Sequence, residues 1–203
     1  MAIREAERLA ALAAAEGAVD KPLTTDDWIA AARNMLIREG IDAVKVDRLA
    51  KECGVTRGGF YWRFKNREDL LHDLLNFWKQ TNTAPVLAAL NSAGTPLERF
   101  AALVDLWIEE VDFDPGFDRA VRAWAAVSPE VAIAVHEIDD QRIEAITRLF
   151  RDAGYDEQVA FVRARIVYFH QVGYYAMNIQ ETRDQRLALR PHYFQVLTGM
   201  EMS

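Results

Sequence analysis

The chain has 203 residues, 51% hydrophobic and 27% charged, with a formal net charge of −7. That length and apolar content fit one large or two small folded domains and exclude wholesale disorder. One cysteine excludes an internal disulfide, and no apolar run reaches the roughly 18 residues of a membrane span. The chain is therefore expected in the cytoplasm, away from the membrane.

Residues 2–16 are strong helix formers, with Ile3, Leu9 and Leu12 on one side and Gly17 as a stop. Glu5, Glu7 and Glu16 interrupt the continuous apolar run that a secretory leader needs. Residues 1–20 read as a helical N-terminal extension. A second helix is expected after Thr24, which has Asp27 three residues on in the manner of a capping box, and it should stop at Gly40. Ile29, Ala32, Leu36 and Ile37 would be its inner face.

The stretch from Val44 to Leu71 reads VKVDRLAKECGVTRGGFYWRFKNREDLL. Leu49, Ala50 and Cys53 have the spacing of a helix that buries one face, with Cys53 as a small core hydrophobe. Gly54 permits a sharp turn, and Thr56 is placed to cap a second short helix. Two helices joined this way make a helix-turn-helix. In the second helix only Phe60 and Phe64 suit a core, while Arg57, Gly58, Gly59, Tyr61, Trp62 and Arg63 do not. Each helical glycine costs roughly 1 kcal/mol relative to alanine, a cost that points to close backbone approach by a partner. From Val44 to Arg67 seven basic side chains meet only two acids, Asp47 and Glu52, for a local charge of +5. A basic island in an acidic chain is the footprint of a nucleic-acid site.

The run GVTRGGFYWRFKNREDLL resembles the signature of TetR-family transcriptional regulators. The likeness covers about Thr25 to Leu71. Arg63 stands where many members have histidine, and Lys45 where many have the Ser or Thr that caps the first motif helix. The resemblance implies an all-α fold, with a three-helix DNA-binding unit over residues 21–70 and a ligand-binding and dimerisation domain over residues 71–203. It implies a double-stranded DNA operator contacted by Lys45, Arg48, Thr56, Arg57, Gly58, Gly59, Tyr61, Trp62, Arg63 and Lys65. Arg57 and Arg63 have the fork that reads guanine edges, and Lys65 and Arg67 could hold phosphates.

Asn66, with Asp69 three residues on, should start a long helix that carries Leu70, Leu71, Leu74, Leu75 and Trp78 and ends near Pro85 or before Gly94. Pro96 to Val111 reads as a helix, DFDPGFD as a break, and Arg119 to Val127 as a short helix. Pro129 should open a long helix to about Gly154, with Val131, Val135, Ile138, Ile146 and Leu149 inward. Asp156 opens another to about Ile179, and Leu187 to Leu197 is the last, with Pro191 inside. No strand pattern stands out, so the architecture reads as all-α, with about nine to ten helices. Residues 1–80 are neutral in sum and residues 81–203 carry the whole −7, which would aim the basic island at a polyanion.

Family resemblance implies an effector cavity in the C-terminal half. Trp107, Trp124, His136, Phe169, His170, Tyr174 and Met177 are its candidate lining, on the expectation of a mostly apolar pocket with a few polar groups. Small residues at Gly173 and Ala176 mark where the last two helices would form a homodimer interface, as the family does. The four histidines lack the close pairings of a zinc site, and no phosphate loop, dinucleotide fingerprint or nucleophile elbow is present. Paired acids such as Glu109-Glu110 and Asp139-Asp140 diverge by about 100° on a helix and cannot converge on one substrate. No catalytic residue, metal or cofactor is expected. The expected function is a ligand-responsive repressor on a palindromic operator. The alternative is a helical DNA-binding module with no small-molecule ligand.

Overall fold

Caps written into the sequence set most of the helix starts. The structure is a computed structural model that describes residues 23–199. The helix expected over residues 2–16, and with it the extension 1–20, lies outside them. Helix α1 (Thr25–Glu39) begins at the expected capping box: Thr24 accepts from the Asp27 N–H, and Asp27 accepts from the Thr24 N–H at 2.7 Å. It ends at Gly40, whose φ of +82° suits glycine alone among common residues. A 3₁₀ turn (Ile41–Ala43) leads into α2 (Val46–Glu52) and α3 (Arg57–Tyr61).

Helix α4 (Arg67–Leu90) starts where Asn66 accepts from the Asp69 N–H at 2.9 Å. Its 24 residues make a rod of about 36 Å. It ends at Leu90, before Gly94, the second of the two expected stops, and Pro85 lies inside it. The helix survives the lost donor because Val86 and Leu90 beyond the proline are both buried.

Helix α5 (Pro96–Glu109) has a capping box of Thr95 and Glu98 and ends at Glu110, in the left-handed region at φ +52°. Helix α6 (Pro115–Ala125) starts four residues before the expected Arg119. Asp114 caps it by accepting from the Phe117 N–H at 3.0 Å, and proline suits the first helical turn, so half of the expected break is helical. Helix α7 (Pro129–Asp152) matches expectation. Helix α8 (Glu157–Ala176) is capped by Asp156 and stops short of Ile179. Helix α9 (Arg183–Thr198) starts before the expected Leu187, because Thr182 and Gln185 form a third capping box. Among the described residues there are nine α-helices and no strand, the all-α architecture that the sequence predicts.

The apolar interior forms two clusters. The first holds Trp28, Met35, Leu49, Phe60, Leu70 and Trp78 together with Phe117, Val121 and Trp124 of α6 and Val131 and Val135 of α7. The second holds the end of α4, α5, the second half of α7, α8 and Phe194 of α9. The core of the N-terminal unit is thus continuous with α6 and the start of α7.

Candidate nucleic-acid interface and effector cavities

Helix α2 ends in a Schellman motif. The Gly54 N–H donates to the Lys51 carbonyl at 3.2 Å, and the Val55 N–H donates to the Ala50 carbonyl at 2.9 Å. Gly54 sits at φ +70°, which makes the turn possible. Thr56 occupies the cap position of α3, yet its hydroxyl makes no cap bond, contrary to expectation, and is left uncommitted. Helix α3 is pinned by one residue: Phe60 is fully buried, edge-on to Trp28 at 5.4 Å and stacked on Phe64 at 5.3 Å.

Gly59 is half-buried against Val55 and Trp28, and the rest of α3 faces outward. Tyr61 is exposed, and Trp62 at 87% is the most exposed large apolar side chain of the described residues. A Cβ on Gly58 or Gly59 would meet only ordinary contacts, at 3.5 Å from Thr56 and 3.8 Å from Val55. The fold itself therefore does not require glycine at either position. That leaves the surface of α3 flat and its backbone open to a close partner.

The basic side chains sort into three states. Lys45, Lys51 and Lys65 have no ion-pair partner among the described residues. Arg57 pairs with Asp47, Arg48 with Glu39 at 2.7 Å, and Arg63 donates to the Leu23 carbonyl at 3.0 Å, all near the surface. Arg67 already has carbonyl partners within the protein. Its Nε and Nη2 donate to the carbonyls of Val44 and Ile41, so it braces the turn that leads into α2. Cys53 is half-buried and packs against the first core cluster, and desolvation, with Glu52 and Asp27 nearby, pushes its thiol pKa up.

The seven expected effector residues do not share one space. Trp107, His170 and Tyr174 meet at a cleft between α5, α8 and α9. That cleft encloses only about 60 Å³, room for a few waters. Partial burial lowers the His170 pKa, against a smaller raising effect of Glu181. Trp124 packs in the first core cluster and lines a different groove, beside Leu71 and Leu75. Phe169 and Met177 are exposed, and His136 lies on a solvent-facing side of α7, 3.7 Å from Asp140.

The space between α4, α6, α7 and α8 is filled by a polar network that the sequence did not reveal. Arg142, 2% exposed, donates to Asp118, the Tyr168 hydroxyl, the Asn82 carbonyl and Thr83 Oγ1 at 3.0–3.2 Å. Its guanidinium also lies 5.6 Å from the Trp78 ring centre. Asp118 accepts from Trp78 Nε1 at 3.1 Å and from Arg122 at 2.8 Å, and Arg122 forks onto Asp139. Burial pushes the Asp118 pKa up, but Arg142 and Arg122 outweigh it and hold the carboxyl below its usual range. Burial pushes the Tyr168 hydroxyl up to about 12. The only sequence signal was an unremarkable set of polar and charged residues, spread over four helices.

Comparison with known proteins agrees with this geometry. Residues 29–74, which hold α2, α3 and their supports, match the model of the bacterial regulatory proteins of the tetR family. The HTH-type transcriptional regulator SrpR of Pseudomonas putida is 27% identical over 118 residues. That match covers 58% of this chain and spans 42% of SrpR. A TetR-family transcriptional regulator from Streptomyces coelicolor has the same fold at a TM-score of 0.72 and 20% identity, covering 92% of this chain and 94% of that one. FadR from Bacillus subtilis, solved in complex with stearoyl-CoA, aligns at 0.63 and 18% identity over 84% of this chain and 96% of its own. The helix-turn-helix with its outward-facing helix is thus of the tetR type, and the all-helical body behind it has the fold of solved regulators of that family.

Proposed function

We propose that the chain acts in the cytoplasm as a homodimeric, ligand-responsive repressor that binds a palindromic double-stranded operator. The observation that carries this reading is α3, with one buried anchor and an outward surface of Thr56, Arg57, Gly58, Gly59, Tyr61, Trp62 and Arg63. Gly58 and Gly59 let its backbone approach the major groove. Arg57 and Arg63 are placed to exchange weak surface partners for base edges, while Lys45, Arg48 and Lys65 take phosphates.

The apolar side chains left exposed on α8 (Phe161, Val162, Ile166, Phe169) and on α9 (Tyr193, Val196) support pairing through the last two helices. A two-fold dimer would set two α3 helices about 34 Å apart, one turn of DNA. Effector response is supported by the complex of FadR with stearoyl-CoA. Ligand and operator would then weaken each other by one common factor.

The test starts with random-sequence selection by the full chain. The recovered site should be palindromic, and removing one half should weaken binding by at least about a hundredfold at fixed salt. Equal affinity for whole and half sites would sink the dimeric reading. The filled interior around Arg142 favours a second reading, a DNA-binding module without effector. A broad ligand screen in which no compound changes operator affinity would decide for it.

A further inference from the structure

Helix α1, the middle of α4 and the connection from α5 to α6 enclose an open groove of about 940 Å³. That is the size of a site for an extended small molecule, unlike the cleft at Trp107. Phe77, Leu106, Val111 and Phe113 make its walls apolar. On the α4 side of the groove two acceptors lack donors, just beneath its surface. Pro85 has no N–H to give the Thr81 carbonyl one turn back. Asn82, 1% exposed, spends its Nδ2 on the Asp114 carbonyl at 2.7 Å and leaves Oδ1 with no partner.

The charge around the groove is one-sided. Its titratable lining is one base, Arg33, and three acids, Glu110, Asp112 and Asp114, for a net −2. Arg33 is taken by Asp114, and Glu110 by Arg186 outside the groove. Asp112 is exposed and has no cationic partner among the described residues. A fatty carboxylate entering here would meet acids and no free guanidinium. An apolar body carrying an ammonium N–H would satisfy walls, acceptors and charge together.

We propose that this groove is the effector site and that its ligands are lipophilic ammonium compounds, an assignment that rests on the ligand-responsive reading above. The site is wired to the DNA-binding unit through Asp114. That residue caps α6, its carbonyl holds Asn82, and its carboxylate fastens Arg33 of α1. An ammonium group in the groove competes with Arg33 for Asp114 and so loosens α1 from α6. Operator-bound protein, which fixes α1, must in turn bind the cation more weakly.

The experiment is calorimetric titration of the full chain with dodecylammonium, dodecyltrimethylammonium, dodecanol and dodecanoate, each below its micelle concentration. Dodecylammonium should bind about tenfold tighter than the trimethyl compound, which has no N–H, or the alcohol, which has no charge. Dodecanoate should bind worst. Asp112→Asn should weaken the ammonium about threefold. Ala88→Arg, which adds bulk and positive charge from an exposed position on the groove wall, should abolish binding while the protein stays folded. Dodecanoate binding as tightly as the ammonium, or Ala88→Arg leaving the ammonium unaffected, would overturn the assignment. Operator release by another compound class without ammonium binding would also overturn it, while leaving the ligand-responsive reading intact. Ammonium binding in the groove with unchanged operator affinity would uphold a cation site there but overturn its assignment as the effector site.

Discussion

Arg57 and Arg142 carry the same guanidinium into opposite surroundings. Arg57 lies on α3 with its side chain 66% exposed and one surface partner, Asp47. Arg142 lies buried on α7 with four partners from three other helices and one unpartnered Nε. An exposed pair of the first kind is worth about 0–1 kcal/mol and gives way readily to an external anion. A buried charge of the second kind is tolerable only while its partners stay. The interface is built from groups that lose little by leaving their partners, and the interior from groups that lose much.

The largest expected effect is at the interior end of this comparison. Arg142→Met leaves the buried Asp118 carboxylate with Arg122 as its one cation, strips the donor from Thr83 and the Asn82 carbonyl, and should cost about 3–5 kcal/mol in chemical denaturation. Adding Asp118→Leu should return much of that loss, because an apolar pair no longer carries an unmatched charge. A single variant within about 0.5 kcal/mol of the parent would show that the network is not holding the fold, since that is the range of ordinary surface changes.

Acid should act through the same residue. The folded-state pKa of Asp118 lies below its unfolded value, so its contribution is present above pH about 4 and is lost as pH falls through the lowered value. Stability measured between pH 6 and pH 2.5 should fall less steeply for Asp118→Asn than for the parent, from a lower starting point. Parallel curves would remove Asp118 from the acid response.

At the interface end the signs reverse. Gly59→Ala has room for its methyl group and should raise stability by roughly 0.5–1 kcal/mol, yet weaken operator binding by about tenfold if α3 lies against DNA. A stabilised variant with unchanged affinity would mean that the glycine is not there for close approach. The smallest effect belongs to Lys65. Lys65→Ala should leave the melting temperature unmoved and lower the salt slope of DNA binding by about one unit. An altered base preference with an unchanged slope would take Lys65 off the phosphates.

The interface was the more legible of the two regions because its signals are local. Gly54, Thr56, the double glycine and the pair Phe60 and Phe64 fall within eleven residues, and the charge island is contiguous with them. Helix starts were legible where the cap was recognised, at Thr24, Asn66 and Asp156, and displaced where it was not, at Asp114 and Thr182. The network of Arg142 was illegible because Asn82, Asp118, Arg142 and Tyr168 come from four helices, and no spacing rule relates them. Aromatic content alone also misdirected the effector residues. Trp124 is aromatic because the core under α4 is filled there, and Phe169 because it covers an outer face of α8 beneath Arg165.

The continuous first cluster limits how such a chain can be recombined. A chimera that exchanges α1 to α3 for another specificity inherits a foreign underside, since Phe117, Val121 and Trp124 of α6 and Val131 of α7 complete the packing around Trp28, Phe60 and Leu70. The workable seam for a transplant does not fall at the end of α3. It runs through the side chains of α6, so new DNA-reading heads for this body would have to be selected together with that helix.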